Sequence, residues 1–111
     1  MAEPSISQDL YDRLIVINKE AYNAQLFDAA YHALASALHC TQDLELDQPL
    51  ADVAKLAKEQ LSEIDQQHPE YEHSTRSASE RNHESIFFTL SRQAETLIRI
   101  RQHNREREKG S

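Results

Sequence analysis

At 111 residues the chain has the length of one domain with a single modest core. Its 39% hydrophobic content excludes a disordered chain, and one cysteine, Cys40, excludes an internal disulfide. The net charge of −7 is uneven, with residues 1–75 balancing at −10 and residues 76–111 at +3.

The opening residues, Met-Ala-Glu-Pro-Ser-Ile-Ser-Gln-Asp-Leu, lack the basic start and apolar run of a signal peptide. The longest uninterrupted apolar run, Leu14-Ile15-Val16-Ile17, is far too short to span a membrane. A cytoplasmic protein is the expectation. The single glycine, Gly110, stands next to last. Strand corners and tight turns usually need glycine to reach positive φ, so its absence points to helices joined by short polar loops.

Pro4 precedes the first periodic segment, where Leu10, Leu14, Ile17, Ala21 and Ala24 recur at three- and four-residue steps. The spacing predicts an amphipathic helix over about 5–23, with Ile6 just off the line. Val16 points nearly opposite that face and Ile15 lies at its margin. A helix apolar on more than one side is central or part of a contact surface, which makes Val16 a candidate interface residue.

A turn is expected near Asn23-Ala24-Gln25, although the periodicity almost runs through it. The second helix, about 26–41, carries Leu26, Phe27, Ala30, Ala33, Leu34, Ala37 and Leu38 on its inner face. Alanines at 29, 30, 33, 35 and 37 leave little bulk, so a neighbouring helix can approach closely. His32 and His39 share a face but stand about 10 Å apart along the axis, too far for one metal. Asp28 is expected to be the surface partner of His32.

An acidic connector, Thr41 to Gln48, leads to a third helix over about 49–67. Pro49 fits its first turn, and Leu50, Val53, Leu56, Ala57, Leu61 and Ile64 form its stripe. Asp52–Lys55 and Lys55–Glu59 stand at pairing distance on its outer side. His68 to Arg76, with Pro69, has no apolar period and reads as a loop. Ser77-Ala78-Ser79-Glu80 matches a capping box and predicts the start of a fourth helix running to about 104. That helix would bury Ile86, Phe87, Leu90, Ala94, Leu97, Ile98 and Ile100 and leave Phe88 outside as a second candidate interface residue. Residues 1–4 and 105–111 are expected as frayed tails. The fold class is therefore all-α, a single domain over 1–111: an antiparallel four-helix bundle or an array of helical hairpins.

The basic end (Arg99, Arg101, Arg105, Arg107, Lys109) is interrupted by Glu106 and Glu108 and has no interleaved aromatic for base stacking. It reads as a helix C-terminus that packs against acidic neighbours, and no nucleic-acid partner is expected. Glu70…His73 and Glu80…His83 have Glu-x-x-His spacing, but a loop separates them, so they cannot face each other across a core as di-iron sites require. His68, His73 and His83 read as solvated loop residues, and Cys40 as structural. No metal or cofactor is expected.

Two resemblances bear on function. Residues 14–42, with the turn at Gln25, Phe27-Asp28-Ala29-Ala30 and Ala37-Leu38, resemble a single tetratricopeptide repeat, a helical hairpin of adaptor proteins. No second copy follows one repeat length later, and an ordinary antiparallel pair accounts for the same residues. Arg76 and His83, with six residues between them, resemble the arginine–histidine pattern with which some four-helix HEPN domains cut RNA. That resemblance implies His83 as general acid or base and Arg76 as the charge that stabilises the phosphate. The expected function is a non-enzymatic helical module for protein–protein interaction, binding another protein or a second copy of itself. The alternative is a HEPN-like ribonuclease or toxin–antitoxin component acting on RNA through Arg76 and His83.

Overall fold

Ser5 opens the first helix, its hydroxyl accepting the Gln8 amide at 2.9 Å, in the computed structural model, which describes residues 5–110. The tail expected at 1–4, Pro4 and Ser111 lie outside those residues. Five α-helices follow: α1 (Ile6–Asn23), α2 (Phe27–Cys40), α3 (Gln48–Gln67), α4 (Thr75–Glu80) and α5 (Ile86–Lys109). A short 3-10 turn, Thr41–Asp43, lies in the acidic connector. There is no strand among the described residues, and the chain is an all-α bundle.

Two antiparallel hairpins, α1–α2 and α3–α5, make up the bundle, and α2 packs against both α3 and α5. The main core joins Leu34, Ala37 and Leu38 of α2 with Leu50, Val53 and Ala57 of α3 and Leu90 and Ala94 of α5. At the other end, Phe87, Leu61 and Ile64 meet a cluster of aromatic rings from Tyr22, Phe27, Tyr31 and Tyr71. The principal extents are 50 × 32 × 17 Å, so the bundle is a flattened slab. The radius of gyration, 15.6 Å, exceeds the roughly 13 Å usual for such a length, because α5 alone is about 36 Å long.

Two helices, α1 and α4, end at positive φ without glycine. Gln25 and Asn82 adopt positive φ, 62° and 60°. Each closes a Schellman motif: Leu26 N–H donates to the Ala21 carbonyl at 2.9 Å and His83 N–H to that of Ala78 at 2.8 Å. The turn at Gln25 settles residues 6–40 as a hairpin rather than one long helix.

The expected capping box does not start the last helix. Ser74 caps α4 instead, accepting the Ser77 amide at 3.1 Å while its hydroxyl donates to the Pro69 carbonyl at 2.6 Å. Ser77 also donates to that carbonyl, at 2.9 Å, and lies inside α4 rather than at its start, so it caps no helix. The Asp65 carboxylate accepts both the Thr75 amide and its hydroxyl, at 2.8 and 2.6 Å. These tertiary contacts fold the segment against α3 before Ser85 caps α5. The helix then runs on to Lys109, where a frayed tail from 105 was expected. Arg101 donates to the Thr41 and Leu46 carbonyls, and Arg105 pairs with Asp47, so the basic end is fastened to the acidic connector.

The inner face of α1 also differs from expectation. Leu10 and Ile17 are 39% and 49% exposed, and Ala24 is exposed. Tyr11 and Asn18 face the core in their place. Asn18 Nδ2 donates to the Ala30 carbonyl of α2 at 2.7 Å, and its Oδ1 accepts Gln60 Nε2 of α3 at 2.6 Å. The Tyr11 hydroxyl donates to the Pro49 carbonyl at 2.8 Å. An inventory of aliphatic spacing passes over these residues because each hides a polar tip. Leu26 and Ile100, also expected inside, are 60% and 49% exposed.

Asn18→Ala is expected to cost roughly 1–3 kcal/mol in urea unfolding, since it strands the buried Gln60 amide. Asn18→Leu combined with Gln60→Leu should cost less than the two single changes added together, by roughly 0.5–3 kcal/mol. Gln25→Gly should raise stability by about 0.5–1 kcal/mol, as glycine carries no Cβ penalty at positive φ.

Candidate functional site

The outward side of α1 is the most apolar exposed helix face. Ile6, Leu10 and Ile17 are 79%, 39% and 49% exposed and follow one another at four- and seven-residue steps. Ala24 continues the line, and half-buried Leu14 and Ala21 border it. Val16, 53% exposed, stands at its other edge, next to Arg13 and Glu20. Arg13 pairs with Asp9 at 2.9 Å, one turn back on the same side. Three aliphatic side chains thus lie along one helix within a band that carries one basic and two acidic groups.

Phe88, the other expected contact residue, is 44% exposed on α5, in the second hairpin. The Arg92 guanidinium lies 5.8 Å from its ring centroid and also bonds Glu84 at 2.9 Å. Phe88 therefore carries its own cationic cover, unlike the α1 stripe.

Arg76 and His83 are both exposed, but they occupy different segments. Arg76 sits in the first turn of α4, its Nε 3.8 Å from Glu80. His83 follows the helix, and its backbone amide closes the Schellman motif. No hydrogen bond or ion pair joins the two among the described residues. Three other histidines are engaged locally: His68 against the Phe27 ring at 5.3 Å, His32 against Tyr31 at 5.2 Å, and His73 2.9 Å from Glu72. Asp28, expected beside His32, accepts the Tyr71 hydroxyl instead. No group of three or more metal-ligating side chains gathers among the described residues. Cys40 is half-buried against the core.

A groove of about 480 Å³ separates α1 from α3 and is floored by Tyr11, Ile15 and Leu56. Asp12, Asp52 and Glu59 alternate around it with Lys19 and Lys55, so its walls carry both signs. The Tyr11 phenol at its floor is held well above its ordinary range, first by burial and then by Asp52 and Asp12. Burial and Glu63 push the Tyr22 phenol up to about 12. Tyr71 is raised by burial and by its bond to Asp28. These phenols act as neutral donors at helix junctions.

No protein-family model, curated protein or solved structure matches this chain. No described helix is long and apolar enough to cross a membrane.

Because the folded state raises these phenolic pKa values above the ordinary 10, their contribution is full below pH 10 and fades as pH rises toward 12. Urea midpoints measured from about pH 9 to about pH 12 should therefore fall above pH 10. Tyr22→Phe should reduce the steepness of that fall.

Proposed function

We propose that this protein is a non-enzymatic interaction module that docks a protein partner on the outward face of α1. One observation carries the reading: the most regular aliphatic line in the first helix, Ile6–Leu10–Ile17–Ala24, lies at the surface rather than in the core. Single exposed aliphatic residues are ordinary on a monomer, but a row of them along one helix is the pattern with which amphipathic helices recognise partners. Covering three exposed aliphatic side chains recovers about 1 kcal/mol each, a contribution that the partner's own apolar surface and the polar rim must add to before the cost of association is met. The likeness of residues 14–42 to a tetratricopeptide hairpin, an adaptor element, supports the same class of role. The alternation of charges beside the line, Asp9, Arg13 and Glu20, supplies the polar rim that such an interface needs. Val16 belongs to the edge of this face, and Phe88 to a separate one.

Ile17→Glu and Val16→Glu should leave helicity at the parent level and abolish retention of the partner by the tagged chain, including an untagged copy of itself. Phe88→Glu should leave retention unchanged. Loss of helicity in Ile17→Glu would assign that face to the core and defeat the reading.

A further inference from the structure

We infer that the occupant of the α1 face is a second copy of this chain, with the two α1 helices packed antiparallel about a twofold axis near residue 15. The inference rests on the docking face proposed above and adds its partner and orientation.

The argument begins with the distribution of bulk along the stripe. Its first half carries Ile6, Leu10 and Leu14, and its second half Ile17, Ala21 and Ala24. Antiparallel pairing sets Ile6 against Ala24 of the second copy, Leu10 against Ala21, and Leu14 against Ile17. Each large side chain then meets a smaller one at both ends, and the helices lie at an even separation. Parallel pairing sets Ile6 on Ile6 and Ala24 on Ala24, which spreads the helices at one end and leaves a gap at the other.

Charge gives the same orientation independently. Arg13 and Glu20 stand seven residues apart on one edge of the stripe. In the antiparallel pair, Arg13 comes within one helical turn of Glu20 of the second copy. The same contact recurs on the far side of the axis, as an isologous interface requires. The Arg13 guanidinium, already 2.9 Å from Asp9, has further donors to span both carboxylates. Parallel pairing turns this edge against the opposite edge of the second copy, where Leu14 and Ala21 lie, so neither ion pair forms. Bulk is therefore complementary, and both ion pairs form, only in the antiparallel orientation.

The test is analytical ultracentrifugation of the full chain from about 1 to about 100 µM, a range that brackets modest self-affinity. The parent should be in monomer–dimer equilibrium. Arg13→Glu, which gathers three acidic groups at each contact, should weaken the dimer at least about tenfold. Arg13→Glu combined with Glu20→Arg should restore it to within about threefold of the parent. All these positions are exposed, so helicity should stay at the parent level. A parent monomeric throughout, an Arg13→Glu chain that dimerises as the parent does, or a double variant that is not restored would each overturn the antiparallel pairing. Leu10→Glu separates this failure from that of the docking face. If it abolishes association while Arg13→Glu does not, the face stands and the orientation falls. If the dimer survives both Leu10→Glu and Ile17→Glu, both readings fall.

Discussion

Two side-chain amides, Asn18 and Gln60, meet between α1 and α3 and exchange hydrogen bonds at 2.6 and 3.1 Å, with the Ala30 carbonyl of α2 as a third partner. Asn18 is fully buried and Gln60 nearly so. Unsatisfied, each buried amide group would cost about 1–3 kcal/mol, so the pair holds three helices in one register. That requirement also decides which way α1 turns. Asn18 must point inward, and Tyr11 and Tyr22, on the same side of the helix, go in with it. The Ile6–Leu10–Ile17 line lies roughly 120° round the helix and is carried to the surface. The exposed face of α1 is thus a consequence of where its polar side chains find partners.

The loops are built on the same economy. At the ends of α1 and α4, where no glycine stands, Gln25 and Asn82 accept left-handed backbone and let the amides of Leu26 and His83 satisfy carbonyls one turn back. The Pro69 carbonyl gathers Ser74 and Ser77, and Asp65 gathers Thr75, so a segment with few apolar residues is ordered by hydrogen bonds. His83, which a motif search singles out, contributes its backbone to this arrangement. Arg76 lies in the first turn of α4 and His83 beyond its end, and no hydrogen bond or ion pair joins them among the described residues.

Charge asymmetry has a structural outlet as well. Arg101 and Arg105 reach the connector at Thr41, Leu46 and Asp47, tying the last helix to the acidic half of the chain. Lys58 of α3 pairs with Glu95 of α5. The basic C-terminal segment therefore spends part of its charge on holding the second hairpin to the first. Beyond Arg101, residues 102–110 are exposed.

By itself the sequence determined the all-α class, the inner face of α3 through Leu50, Val53, Ala57, Leu61 and Ile64, and the exposure of Val16 and Phe88; the turn near Gln25 it allowed without forcing. These follow from local rules: helical periodicity, the absence of glycine, and proline in a first turn. Only the tertiary structure decided the rotation of α1, the separate short helix α4 at Thr75–Glu80 and the course of α5 to Lys109. In each case a polar group finds its partner far along the chain: Asn18 at Gln60, Thr75 at Asp65, Arg105 at Asp47. Aliphatic spacing reports how apolar each side of a helix is. Which side goes inward depends on where buried donors and acceptors can be paired, and that is fixed only when the helices meet.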